Sequence, residues 1–104
     1  TMTSYPEITK VSDEIVKLCP SIIKIMLISF KTDNFNRIKS FKLALIVGDG
    51  IKSMPELECS LYMQIDSDIP FDLVFYSISE WNEFKDNENT FAWKINNTGM
   101  VLYG

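Results

Sequence analysis

Histidine is absent from this chain. That excludes Ser-His-Asp and Cys-His catalysis and removes the commonest zinc ligand. Cysteine is scarce, with only Cys19 and Cys59. Their separation fits no metal-ligand spacing, and both fall in stretches that read as helix, so buried free thiols of a cytosolic protein are expected. No apolar run approaches the roughly 20 residues that a membrane span needs, and no signal-peptide pattern opens the chain. A cytoplasmic location without membrane association is therefore expected. Basic residues are outnumbered, ten Lys and Arg against fourteen Asp and Glu. A free-standing nucleic-acid binder needs a basic stripe to neutralise phosphates, so that role is not expected. Gly48 and Gly50 form no phosphate-loop pattern, because no G-x-x-x-x-G-K-[ST] is present.

What is there is enough for one core. A chain of 104 residues makes a single domain over 1–104, with Thr1 before Met2 read as a processing remnant. Two β-branched and aliphatic runs, residues 22–28 and 43–47, suit strands buried on both faces. The first strand is expected over 22–30 and the second over 42–47. Between them lies a polar stretch, residues 31–41, read as a long and mobile loop. Lys24, Lys31, Arg37, Lys39 and Lys42 gather around it. A solvated loop and a local anion site both account for that gathering.

Upstream, Pro6 suits the first turn of a helix, preceded by Ser4 or Tyr5. Ile8, Val11, Ile15 and Leu18 recur at helical steps until Pro20. Ser53 and Glu56 have capping-box spacing and open a helix to about Ile65, with Met54, Leu57, Leu61 and Ile65 on its apolar side. Pro70 marks the break before a third strand over 71–76. Ser77 and Glu80 repeat the spacing and start a short turn carrying Trp81 and Phe84. Residues 91–95 read as a further helical piece ending at Asn97-Thr98-Gly99, with Gly99 as the C′ residue. Residues 100–103 close the chain as a strand. Tyr76 and Tyr103 are expected to end adjacent strands, and Trp81, Phe84, Phe91 and Trp93 to serve packing. The predicted order is α-β-β-α-β-α-β: an α+β, α/β-like domain with a mixed sheet and packed helices.

This order, with these local sequences, resembles the minimal nucleotidyltransferase domains of the DNA polymerase β superfamily over nearly the whole chain. Members carry a Gly-Ser pair at the end of strand one. Two aspartates in Ser-Asp-x-Asp-Leu open strand two, and a third carboxylate lies on strand three. The spacing has a chemical reason. Carboxylates at i and i+2 on a strand point to one face and can share two divalent ions, which hold the triphosphate and stabilise the leaving pyrophosphate.

Laid onto that pattern, Gly99-Met100-Val101-Leu102-Tyr103-Gly104 fits the closing segment. Phe71-Asp72-Leu73-Val74 fits strand three, with Asp72 as the third carboxylate. Ile28-Ser29 stands where Gly-Ser belongs. Ser40 and Lys42 stand where the two aspartates belong, and a shift of one residue offers only Phe41 and Leu43. The trio Ser40, Lys42 and Asp72 sums to about zero charge. A divalent cation 4 Å from Lys42 meets a repulsion of roughly 8 kcal/mol at an effective dielectric near 20. The resemblance thus implies a degenerate site without metal or other cofactor, acting by binding. Ser29, Lys31, Arg37 and Lys39 are the phosphate contacts expected if a nucleotide binds. A helical protein partner of the toxin–antitoxin kind is the other implied ligand, and a homo-oligomer is compatible. The alternative is an active, magnesium-dependent nucleotidyltransferase using Asp66, Asp68 and Asp72.

Overall fold

The computed structural model describes residues 5–104. Thr1 and Ser4 lie outside the described residues. Eight elements follow one another: α1 (Pro6–Leu18), β1 (Ile22–Thr32), β2 (Ile38–Val47), α2 (Met54–Gln64), β3 (Phe71–Ser77), α3 (Ile78–Phe84), α4 (Phe91–Thr98) and β4 (Met100–Tyr103). The expected order holds, with the turn around Trp81 forming a short helix of its own. The sheet runs β3-β2-β1-β4. β1 is antiparallel to both β2 and β4, and β2 is parallel to β3.

Helices cover both faces. One layer packs Ile8, Val11 and Ile15 of α1 and Leu61 of α2 on Ile25, Leu27, Leu43, Leu45 and Val47. The other packs Trp81, Ala92 and Ile95 on Met26, Ala44 and Ile46. β2 therefore runs through the centre, and residues 43–47 are each 0% exposed. That is why its sequence is unbroken aliphatic rather than alternating.

Local signals explain the helix ends. Tyr5 is the N-cap residue of α1, with Pro6 in the first turn. The Ser53 hydroxyl accepts the Glu56 N–H at 3.2 Å at the start of α2. At α3 the box closes both ways: Ser77 Oγ accepts from the Glu80 N–H, and the Glu80 carboxylate accepts from the Ser77 N–H. Thr90 caps α4 through the Trp93 N–H.

Several expectations are corrected. The 31–41 loop is mostly strand, because β1 and β2 form a long hairpin joined at residues 33–37. Asp33 builds that turn: its carboxylate accepts the N–H groups of Phe35 at 2.8 Å and Arg37 at 2.9 Å. Asn36 adopts φ 61°, the left-handed conformation that Asn tolerates better than most residues. Gly99 is the C-cap of α4 rather than the residue beyond it, and it is extended, with φ −77° and ψ 162°. A Cβ there would stand 2.7 Å from the Ile95 carbonyl and 3.2 Å from that of Leu27, so glycine is required by close approach. Tyr76 and Tyr103 lie on the two opposite edge strands. Cys19 is buried at the end of α1, but Cys59 is exposed on α2. Phe91 is also exposed, because it opens α4 rather than facing its packed side.

Candidate functional site

Three irregularities in the hairpin decide which side chains share a face. Between Ile22 and Lys24, and between Leu27 and Ser29, β1 carries one extra residue against β2; near the turn, β2 carries one, Lys39, against Lys31 and Thr32. Each extra residue resets the alternation of the bulged strand. Ile38 therefore reaches the α1/α2 side as a buried core residue, while Ser40 and Lys42 fall on the side of Ala44 and Ile46.

On that side the register brings the predicted residues into two rows. Ser29 pairs with Lys42, and Lys42 pairs with Asp72, across β1, β2 and β3. One step towards the hairpin tip, Lys31 pairs with Ser40. Partners in a ladder project to the same face. α3 and α4 pack over the other end of this face, on Met26, Ala44 and Ile46. Ser29, Lys31 and Asp72 are exposed, and Ser40 and Lys42 are half-buried.

Charge is not neutralised within the row. Among the described residues the ion pairs are Arg37–Asp33 at 2.8 Å and Lys85–Asp86 at 3.0 Å. Lys42 and Asp72 form no ion pair. A long, partly hydrated ammonium gains little from closing on an exposed carboxylate and loses rotamer freedom in doing so.

Arg37 is withdrawn from the row. Its guanidinium donates to Asp33 and lies 5.0 Å from the Phe35 ring centroid. The hydrogen bond from the Arg37 N–H, followed by those from Phe35 and the guanidinium, holds the Asp33 carboxyl below its ordinary value. Arg37 thus stabilises the turn, and Lys39 occupies the adjoining bulge.

The alternative carboxylates are not assembled. Asp68 lines a small cleft with Glu7, Lys10, Ser67 and Ile69, beside the start of α1. Among the described residues no three His, Cys, Asp or Glu side chains come together as a group able to hold a metal ion.

Two polar contacts escaped the sequence reading. The Tyr62 hydroxyl accepts the Leu73 N–H at 2.8 Å, on the outer edge of β3. Burial, with a smaller push from Glu58 and Asp72, raises the Tyr62 phenol above its ordinary value. The Asp49 carboxylate accepts from the Ser79 hydroxyl at 2.5 Å and the Ser79 N–H at 3.1 Å, tying the turn after β2 to α3. The short Gly-Asp-Gly turn was the available signal for Asp49. Nothing in the sequence marks Tyr62, whose partner is a backbone group eleven residues away.

Among the described residues no helix is long and apolar enough to cross a membrane. Comparison with family models, with curated proteins and with solved structures finds no match to this chain.

Proposed function

We propose that this chain is a nucleotidyltransferase-like domain that has lost metal-dependent transfer and acts by binding, with nucleotide phosphates as the ligand on the Ser29–Lys42–Asp72 side of the sheet. One observation carries the reading: Lys42 lies in register with Asp72 on the parallel β2–β3 pair and makes no ion pair there. A cation stands where the resemblance calls for a metal-binding carboxylate. An ammonium can take a phosphate oxygen directly, as a metal ion would, and Ser29, Lys31 and Ser40 offer further donors beside it.

The test is calorimetry with ATP, with and without magnesium, alongside an assay for transfer of labelled nucleotide. Binding that needs no magnesium, falls about tenfold in Lys42→Met, and leads to no transfer supports the proposal. Magnesium-dependent binding with transfer overturns it and directs attention to Asp66 and Asp68.

A protein partner is the second reading. It is favoured by the exposed apolar side chains Met100, Val101 and Tyr103 on the edge strand β4. Hydrogen exchange separates the two. Nucleotide protects amides around 29–31, 40–42 and 72, whereas a partner seated on β4 protects 100–103.

A further inference from the structure

We infer that a second, separate pocket, half open to solvent and bordered by β1, β2, α3 and α4, binds a small organic anion with an aromatic or otherwise apolar body. Its volume is about 300 Å³, roughly that of ten waters in the liquid. That suits a six-membered ring carrying one acidic group.

The floor is apolar. Ile46 and Trp81, 0% and 3% exposed, close it from beneath, and its accessible apolar surface comes from Ile23 and the half-buried Ile78. Water held against Ile23 and Ile78 finds few partners, so displacing it with an apolar group is favourable.

The rim is cationic and amidic. Lys24 and Lys85 contribute ammonium groups and Asn82 and Asn96 contribute amides, with no carboxylate among the lining side chains. That is a local reversal of sign in a chain of net charge −4. The extra residue in β1 before Lys24 puts Lys24 opposite Ile46, half-buried above the floor. Among the described residues Lys24 forms no ion pair, and neither amide forms a side-chain hydrogen bond. Lys85 donates only to Asp86, its immediate neighbour, whose side chain is 77% exposed. An exposed pair of this kind is weak and readily exchanged. Two cations and two amides without firm protein partners, above an apolar floor, are the complement of an aromatic carboxylate or an aromatic phosphate monoester.

The site is independent of the nucleotide reading. Ile46 lies four residues along β2 from Lys42, about 13 Å away at strand rise, at the opposite end of the same face.

Trp81 supplies the signal for the test. In a Trp93→Phe background it is the sole tryptophan, and its emission is followed during titration with benzoate, phenyl phosphate, benzyl alcohol and inorganic phosphate. At least one aromatic anion is expected to saturate the signal near or below about 1 mM. Benzyl alcohol and inorganic phosphate should bind at least about tenfold more weakly, since each lacks one half of the complement. Lys24→Gln should weaken the anion about tenfold, while Asp86→Asn, which frees Lys85, should tighten it about twofold. Lys42→Met should leave the titration unchanged. On the unmodified chain, amide NMR should show the same titration moving Lys24, Asn82 and Asn96. No saturable response to either aromatic anion up to about 10 mM by both methods overturns the inference. So does equal affinity for benzyl alcohol, or an affinity indifferent to Lys24→Gln.

Discussion

Lys42 and Asp72 are register partners on neighbouring parallel strands, yet their charged ends do not meet. Lateral pairing places two Cα atoms side by side, while ion pairing needs two flexible side chains to converge. The backbone relationship holds here without the side-chain one. Among the described residues no internal ion pair occupies Lys42, which is left able to meet a ligand.

A double-mutant cycle should show that separation. Lys42→Met and Asp72→Asn are each expected to change unfolding free energy by less than about 1 kcal/mol, with a coupling of about 0.5 kcal/mol or less. Urea denaturation of the four proteins measures it. A coupling well above that would mean that the two groups pair in solution.

Replacing the two residues should install a metal site. Ser40 and Lys42 are consecutive same-face positions in a regular stretch of β2, and Asp72 is the partner of the second. Ser40→Asp with Lys42→Asp should bind manganese by calorimetry, while the unmodified chain does not. Failure of the double variant to bind at millimolar metal, with its fold intact by circular dichroism, would show that the three positions do not converge.

Gly99→Ala should be costly despite its extended backbone. The added Cβ would press on two carbonyl oxygens, those of Ile95 and Leu27. Overpacking of this kind costs about 1–3 kcal/mol, read as a drop in urea midpoint. Gly50→Ala is the control, because nothing lies within 4 Å of a Cβ there.

Acid should loosen the contact between Asp49 and Ser79. The Ser79 hydroxyl first, then its N–H, hold the Asp49 carboxyl below its ordinary 3.8. A carboxyl whose folded value is depressed contributes its stability fully above the unfolded value and loses it as pH falls through the folded one. The wild type should therefore lose stability below about pH 4 more steeply than Asp49→Asn. Thermal melts between pH 2 and 6 compare the slopes, and parallel curves would remove Asp49 from the acid response.

Much of the fold was legible because burial writes itself into pattern. Ile8, Val11 and Ile15 gave α1 by spacing, the run from Leu43 to Val47 gave β2 by its lack of polar residues, and Ser77 with Glu80 gave the start of α3. The hairpin arms were not legible for the opposite reason. Lys31, Thr32, Lys39 and Ser40 carry no run of buried residues, and the extra residue at Lys39 breaks the alternation that would betray a strand. The candidate row was readable only by laying one family's motif on the chain. The aromatic-anion cavity was unreadable, since its lining comes from residues 24, 46, 78–85 and 96.

The hydroxyl of Tyr62 on the Leu73 amide also has a meaning for assembly. An edge strand invites a second strand through its free backbone groups. On β3 that invitation is blocked at Leu73 by a side chain from α2, with the charge of Asp72 next to it. β4, at the far edge, presents Met100, Val101 and Tyr103. A sheet with one guarded edge cannot grow head to tail, because each added copy would need to offer both edges. Edge pairing between copies of this chain would therefore close after one β4–β4 contact: the molecule can be paired, but it cannot be strung.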